Sequence, residues 1–149
     1  GGLRPPILVR WPGHITPGRF DTPVSTIDVV PTILAATGIT PREPLPGLDL
    51  REIAAHGGAC DRDGLFGAIF EHDIADPDDP ARSLLSRWML FEGRWKLIQP
   101  VGDQPAELYD VLADPHETRD RAADNEPRVA ELRRRLDAWW PGRPLSATP

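Results

Sequence analysis

The chain has a single cysteine, Cys60, so it forms no internal disulfide, and cysteine usage leaves its compartment open. The flanking Gly57-Gly58-Ala59 and Asp61-Arg62-Asp63 read as an exposed loop. No His or Asn stands at a diagnostic spacing, so Cys60 is read as an incidental thiol. No apolar run approaches the ~20 residues of a membrane span. No glycine-rich phosphate loop follows a strand, no serine occupies a nucleophile elbow, and no internal repeat is visible. Basic residues are outnumbered, 17 against 23 acidic ones, for a net charge of −6. That balance argues against a nucleic-acid partner and is too mild for an acidic disordered tail. The first residue is Gly1, and no basic-then-apolar leader follows it.

Proline, by contrast, is abundant: 18 residues in 149, roughly 12% against a usual ~5%. The prolines are spread along the chain rather than gathered in a tract, which predicts a loop-rich molecule. "GGLRPPILVRWPG" opens the sequence. Ile7-Leu8-Val9 reads as a strand buried on both faces, as in parallel sheets, and Pro12-Gly13 ends it. Residues 25–38 read as a helix, with Ser25 and Asp28 resembling a capping box. The preferred start is Asp28, which places Pro31 in the first turn. Val30, Ile33, Leu34 and Thr37 form its expected apolar stripe, and Gly38 its terminator. Strand, turns and helix make one α/β unit. Residues 40–64 read as an excursion with a short helical turn near 48–53.

The second half differs. Residues 65–70 predict a strand running into the acidic loop "EHDIADPDDPARS". Residues 87–91 and 95–98 predict a hairpin around Glu92-Gly93-Arg94, and 107–111 a further strand. "ADPHET", 113–118, predicts a turn whose polar residues cap locally. Asn125 and Pro127 open a last helix, with Val129, Leu132, Leu136 and Trp139 on one stripe. The expectation is a small antiparallel sheet covered by a C-terminal helix.

No complete catalytic set is present. Glu71-His72-Asp73 follows a predicted strand, where ligand sites gather in α/β folds. Neighbours on an extended chain point opposite ways, so the three residues do not share an ion without a sharp turn. His72 alone is kept as a candidate substrate-binding residue. The Trp139-Trp140 pair is able to stack on a sugar, but helical spacing favours burial of Trp139.

Taken in order, "RPPILVRWPG", "TPVSTIDVVPTILAATGI", "LPGLDL", "GRWKLI" and "ELYDVLADPHE" resemble the C-terminal portion of sulfatases, the arylsulfatase-like branch of the alkaline phosphatase superfamily. Each motif alone is weak; five in sequence, covering residues 1 to about 140, are specific. The resemblance implies the end of an alkaline-phosphatase-like α/β domain over residues 1–64 and a C-terminal subdomain over 65–149. It also implies hydrolysis of sulfate esters or sulfamates by a formylglycine nucleophile, with Ca²⁺ or another divalent cation. Neither transfers to residues here: Cys60 is followed by Asp61-Arg62, not by the x-Pro-x-Arg that formylglycine formation requires. No catalytic residue and no metal ligand is assigned to this chain, and Arg4 is expected in a structural ion pair. The expected partners are the preceding catalytic half of the same polypeptide and a sulfated small molecule or carbohydrate. A periplasmic or secreted location follows only if the whole protein behaves as its family does. Open alternatives are a phosphoesterase or phosphonate hydrolase of the same superfamily, and a stand-alone binding module.

Overall fold

The computed structural model describes residues 5–62, 64–71 and 78–140. They divide after Arg62 into two compact units.

In the first unit, residues 5–10 are irregular. Ile7-Leu8-Val9 was expected as a buried strand and is not one: Leu8 is 91% exposed and Val9 46%. A strand exists by pairing, and the described residues of this unit contain no other strand. A 3₁₀ turn, Thr26–Asp28, leads directly into helix α1, Val29–Thr37. Pro31 falls in the first turn of α1, where a missing N–H breaks no intrahelical bond. Gly38 ends the helix with φ 73°, while the Ile39 N–H donates to the Leu34 carbonyl at 2.9 Å, as a glycine-terminated helix does. A second helix, α2, spans Leu50–Ala55, and its N-cap Asp49 accepts from the Arg51 N–H.

The apolar stripe of α1 lies open. Val30 and Ile33 are 54% and 55% exposed, and Thr37 turns its hydroxyl back onto the Ile33 carbonyl. The covered face instead carries the buried Asp28 and Thr32.

The second unit is a four-stranded antiparallel sheet in sequence order: β1 Gly64–Phe70, β2 Leu84–Phe91, β3 Trp95–Pro100 and β4 Glu107–Asp110. A 3₁₀ turn, Pro80–Ser83, precedes β2. Register aligns one row across all four strands, Phe66 with Met89, Met89 with Leu97, and Leu97 with Leu108. Helix α3, Glu126–Trp139, starts at the N-cap Asn125. It packs Leu132 and Leu136 into that row, so Met89, Leu97, Leu108 and both helix leucines are essentially inaccessible. The β2–β3 turn places Glu92 at φ 50° and Gly93 at φ 65°, the left-handed pair that a tight hairpin requires. Trp139, expected to be buried, is 44% exposed. It is the last residue of α3, with its ring stacked on Phe66 at 5.4 Å.

Candidate functional site

Asp28 is the most connected side chain of the first unit. Its carboxylate is fully buried. It accepts from the Ser25 N–H at 2.7 Å, from the Leu48 N–H at 2.8 Å and from both terminal nitrogens of Arg62. Burial alone pushes this carboxyl up. Arg62 and the two backbone donors overcome that and hold it below the ordinary carboxylate range. One turn on, the Thr32 hydroxyl donates to the Asp28 carbonyl at 2.6 Å and accepts from the Leu50 N–H at 2.9 Å. Helix start and 46–50 loop thus interlock through two side chains. Gly47 is part of the fit, since a Cβ there would stand 2.1 Å from the Ile27 carbonyl oxygen.

The second unit uses ion pairs between its motif segments. Lys96 of "GRWKLI" is buried and donates to Glu117 of "ADPHE" at 2.5 Å. Glu117 sits at φ 57°, a region non-glycine residues seldom occupy. It is therefore more than the local cap expected of that turn. Arg94 in the hairpin turn pairs with Asp110 at 2.7 Å and holds its carboxyl low. Asp114 accepts from the Thr118 and Arg119 N–H groups, which lower it likewise. The Tyr109 hydroxyl donates to Glu107 at 2.6 Å, and that bond pushes its pKa up. These carboxylates are engaged by guanidinium, ammonium, hydroxyl or backbone donors. Such an arrangement builds a scaffold; it does not supply a nucleophile or a proton shuttle.

His72 and Asp73 lie outside the described residues, as does Arg4. Glu71 beside them donates its N–H to the Ser83 carbonyl at 2.7 Å, which ties the two ends of the β1–β2 loop. Cys60, expected in an exposed loop, is half-buried. Trp140 meets Trp139 edge-on at 6.1 Å and Phe70 at 6.1 Å, extending the aromatic cluster begun by Phe66. Among the described residues no group of three His, Cys, Asp or Glu side chains is placed to hold a metal ion. No helix there is long and apolar enough to cross a membrane. Sequence reasoning missed the Asp28–Arg62 and Lys96–Glu117 pairs, although Asp28, Lys96 and Glu117 each stand in one of the five motif segments; Arg62 lies outside them.

Solved structures with this fold include Ps i-CgsB, with 22% identity and a TM-score of 0.67 over 91% of this chain and 29% of that one. Another is the phosphonate monoester hydrolase SpPMH from Silicibacter pomeroyi, with 23% identity and a TM-score of 0.60 over 78% of this chain and 25% of that one. These likenesses show the fold, a small antiparallel sheet with helices. Residues 1–139 match the family model described as N-sulphoglucosamine sulphohydrolase, C-terminal. Arylsulfatase A of Bos taurus is 40% identical over 93% of this chain. Steryl-sulfatase of Rattus norvegicus is 29% identical over the same share. The chain belongs to the sulfatase family, in which it corresponds to the C-terminal region. It spans only 32% and 28% of the length of those two relatives.

Proposed function

We propose that this chain is the C-terminal part of an enzyme that hydrolyses sulfate esters or sulfamates, with its reacting groups carried by preceding polypeptide. One observation carries the reading: residues 1–139 match a sulfatase C-terminal model, while the chain spans 32% or less of the two relatives described above. Exposed apolar side chains of the first unit support it. Leu8, Val9, Val30 and Ile33 are all exposed, and preceding polypeptide would cover them. In the complete enzyme a hydroxyl of a hydrated formylglycine would attack the sulfur as the S–O bond of the ester or the S–N bond of the sulfamate breaks and the alcohol or amine leaves, and Ca²⁺ or another divalent cation would stabilise charge on the sulfuryl oxygens. Neither group is assigned to residues of this chain. Its own part is to close the fold and to present loops to the remainder of the substrate. In that role His72 would donate a hydrogen bond to a sugar hydroxyl or carboxylate.

The test has two steps. The coding sequence upstream of Gly1 is expected to continue in frame, with a Lys shortly before Gly1 and a Cys/Ser-x-Pro-x-Arg motif far earlier. The complete protein is then assayed on an aryl sulfate and on a phosphonate monoester. Turnover of the sulfate supports the reading. Preferential turnover of the phosphonate ester assigns the superfamily alternative, and a stop codon directly before a start at Gly1 defeats the proposal. For His72, replacement by Ala is expected to lower kcat/KM on a saccharide sulfate by ~10-fold or more. An equal loss on the aryl sulfate instead identifies a structural histidine.

A further inference from the structure

The second unit contains a cleft of about 590 Å³ between the ends of β2 and β3, the 101–105 loop and α3. That volume is within the usual range of small-molecule sites, roughly 300–1,000 Å³. We propose that it binds one anionic sugar unit, with the acidic group on Arg133 and the hydroxyls on the loop. The inference rests on the sulfatase reading and extends it, because it names a part of the substrate or of the glycan chain that continues from it.

Three features carry it. Arg87 reaches the cleft from β2 with its side chain only 11% exposed. It is anchored there: one terminal nitrogen donates to Asp137 at 2.7 Å and to the Trp140 carbonyl at 2.5 Å. The Arg87–Asp137 pair is therefore a neutral wall. Arg133 lies one turn earlier on α3, on the same face as Asp137. Its Nε donates to the Gln99 side-chain oxygen at 2.8 Å. That single bond orients the guanidinium, while its terminal nitrogens have no protein acceptor among the described residues. An oriented, half-used guanidinium presents the planar fork that receives a carboxylate or sulfate. Finally, Asp103 and Gln104 line the same cleft. They offer acceptors and donors for hydroxyls, and the Asp103 charge disfavours a second anion. One acid and several hydroxyls describe an anionic saccharide better than a fatty acid or a nucleotide, for which the cleft offers no broad apolar wall.

The experiment uses the complete protein in titration calorimetry. The ligands are a sulfated uronate disaccharide, the same disaccharide desulfated, and a neutral disaccharide. The sulfated ligand is expected to bind at least ~10-fold more tightly than the neutral one. Arg133→Gln is expected to weaken it by ~10-fold or more without changing Tm. Arg134→Gln, which removes an exposed charge on the same helix outside the cleft, is expected to leave binding unchanged. Retained affinity after desulfation assigns the uronate carboxylate to Arg133, and loss assigns the sulfate. The proposal is overturned if Arg133→Gln binds like the parent, or if Arg134→Gln weakens binding equally. Aryl sulfate turnover by the parent is measured in parallel. Its absence with Arg133-dependent binding intact would sink the sulfatase reading and leave this site standing.

Discussion

Residues 64–140 are held by apolar side chains and residues 5–62 by a carboxylate. In the second unit Met89, Leu97, Leu108, Leu132 and Leu136 close a dry layer between sheet and helix. In the first, the only buried large apolar side chain among the described residues is Ile53, while the polar Asp28 and Thr32 are buried as well. The second unit thus satisfies itself, because each strand finds a neighbour and the sheet finds a helix. The first satisfies its polar groups internally and leaves its apolar ones open. A segment with that balance is shaped for contact with more protein, as the sulfatase reading requires.

Asp28→Ala tests the polar side of this contrast and carries the largest expected effect. It strands the Arg62 guanidinium and orphans the Ser25 and Leu48 N–H groups. Removing one partner of a buried pair costs about 3–5 kcal/mol. Hydrogen exchange is expected to show the loss over 25–38 and 46–50. Unchanged protection there would mean the interlock is not what holds the first unit. Leu97→Ala tests the apolar side. It opens a cavity in the aligned row and is expected to cost about 2–5 kcal/mol, read as a lower denaturant midpoint for protection of β2 and β3.

Those two sites also show how legible each unit is in the sequence. The second unit follows from local signals: Glu92-Gly93 for the turn, Asn125 and Pro127 for the helix start, and leucines at helical spacing for its buried face. The first does not. Asp28 reads locally as a capping residue, and it accepts from the Ser25 N–H in a capping box, but Leu48 and Arg62 stand 20 and 34 residues away, beyond any periodicity. Ile7-Leu8-Val9 reads as a strand because its composition suits a partner that the described residues do not include. Lys96 and Glu117 show the same limit, since 21 residues separate them. As to the candidate sites, Arg87 and Arg133 read as ordinary charges on a strand and a helix. Only the fold brings their ends to one cleft.

Gly47→Ala probes the fit of the interlock without touching its charges. The added Cβ meets the Ile27 carbonyl oxygen at 2.1 Å, so the loop must retreat. Overpacking of this kind costs about 1–3 kcal/mol. The loss is expected in the 46–50 loop and α1 and is read by the same exchange experiment; wild-type protection would show that the loop yields freely.

Acid sharpens the contrast by a smaller amount. Burial raises the Asp28 carboxyl, but Arg62, Leu48 and Ser25 outweigh it and leave the folded value below the ordinary one. A depressed carboxylate contributes fully above its unfolded pKa and loses that contribution as pH falls through the folded value. The first unit is therefore expected to lose protection progressively below about pH 4. Asp110 and Asp114 are lowered too, so acid removes some pairing from the second unit as well, but the layer of Met89, Leu97, Leu108, Leu132 and Leu136 that holds it contains no titratable group. Equal acid sensitivity in the two units would contradict this division.

The smallest effect is the most discriminating. Ile33 is 55% exposed on α1, so in the isolated 149-residue chain its side chain contributes little. Ile33→Ser there is expected to change stability by no more than ~0.5 kcal/mol, the usual range for surface positions. The same change is expected to reduce binding of an apolar dye, because Val30 and Ile33 belong to the open stripe. In the complete protein the outcome should reverse in size. If preceding polypeptide covers the stripe, Ile33 is buried, and its removal forfeits about 1.5–3 kcal/mol. Thermal denaturation of both forms reads the difference. A large loss in the isolated chain would show that the stripe is already covered within it. A small loss in both forms would show that nothing covers it, and the reading of this face as a docking surface for the rest of the enzyme would fall.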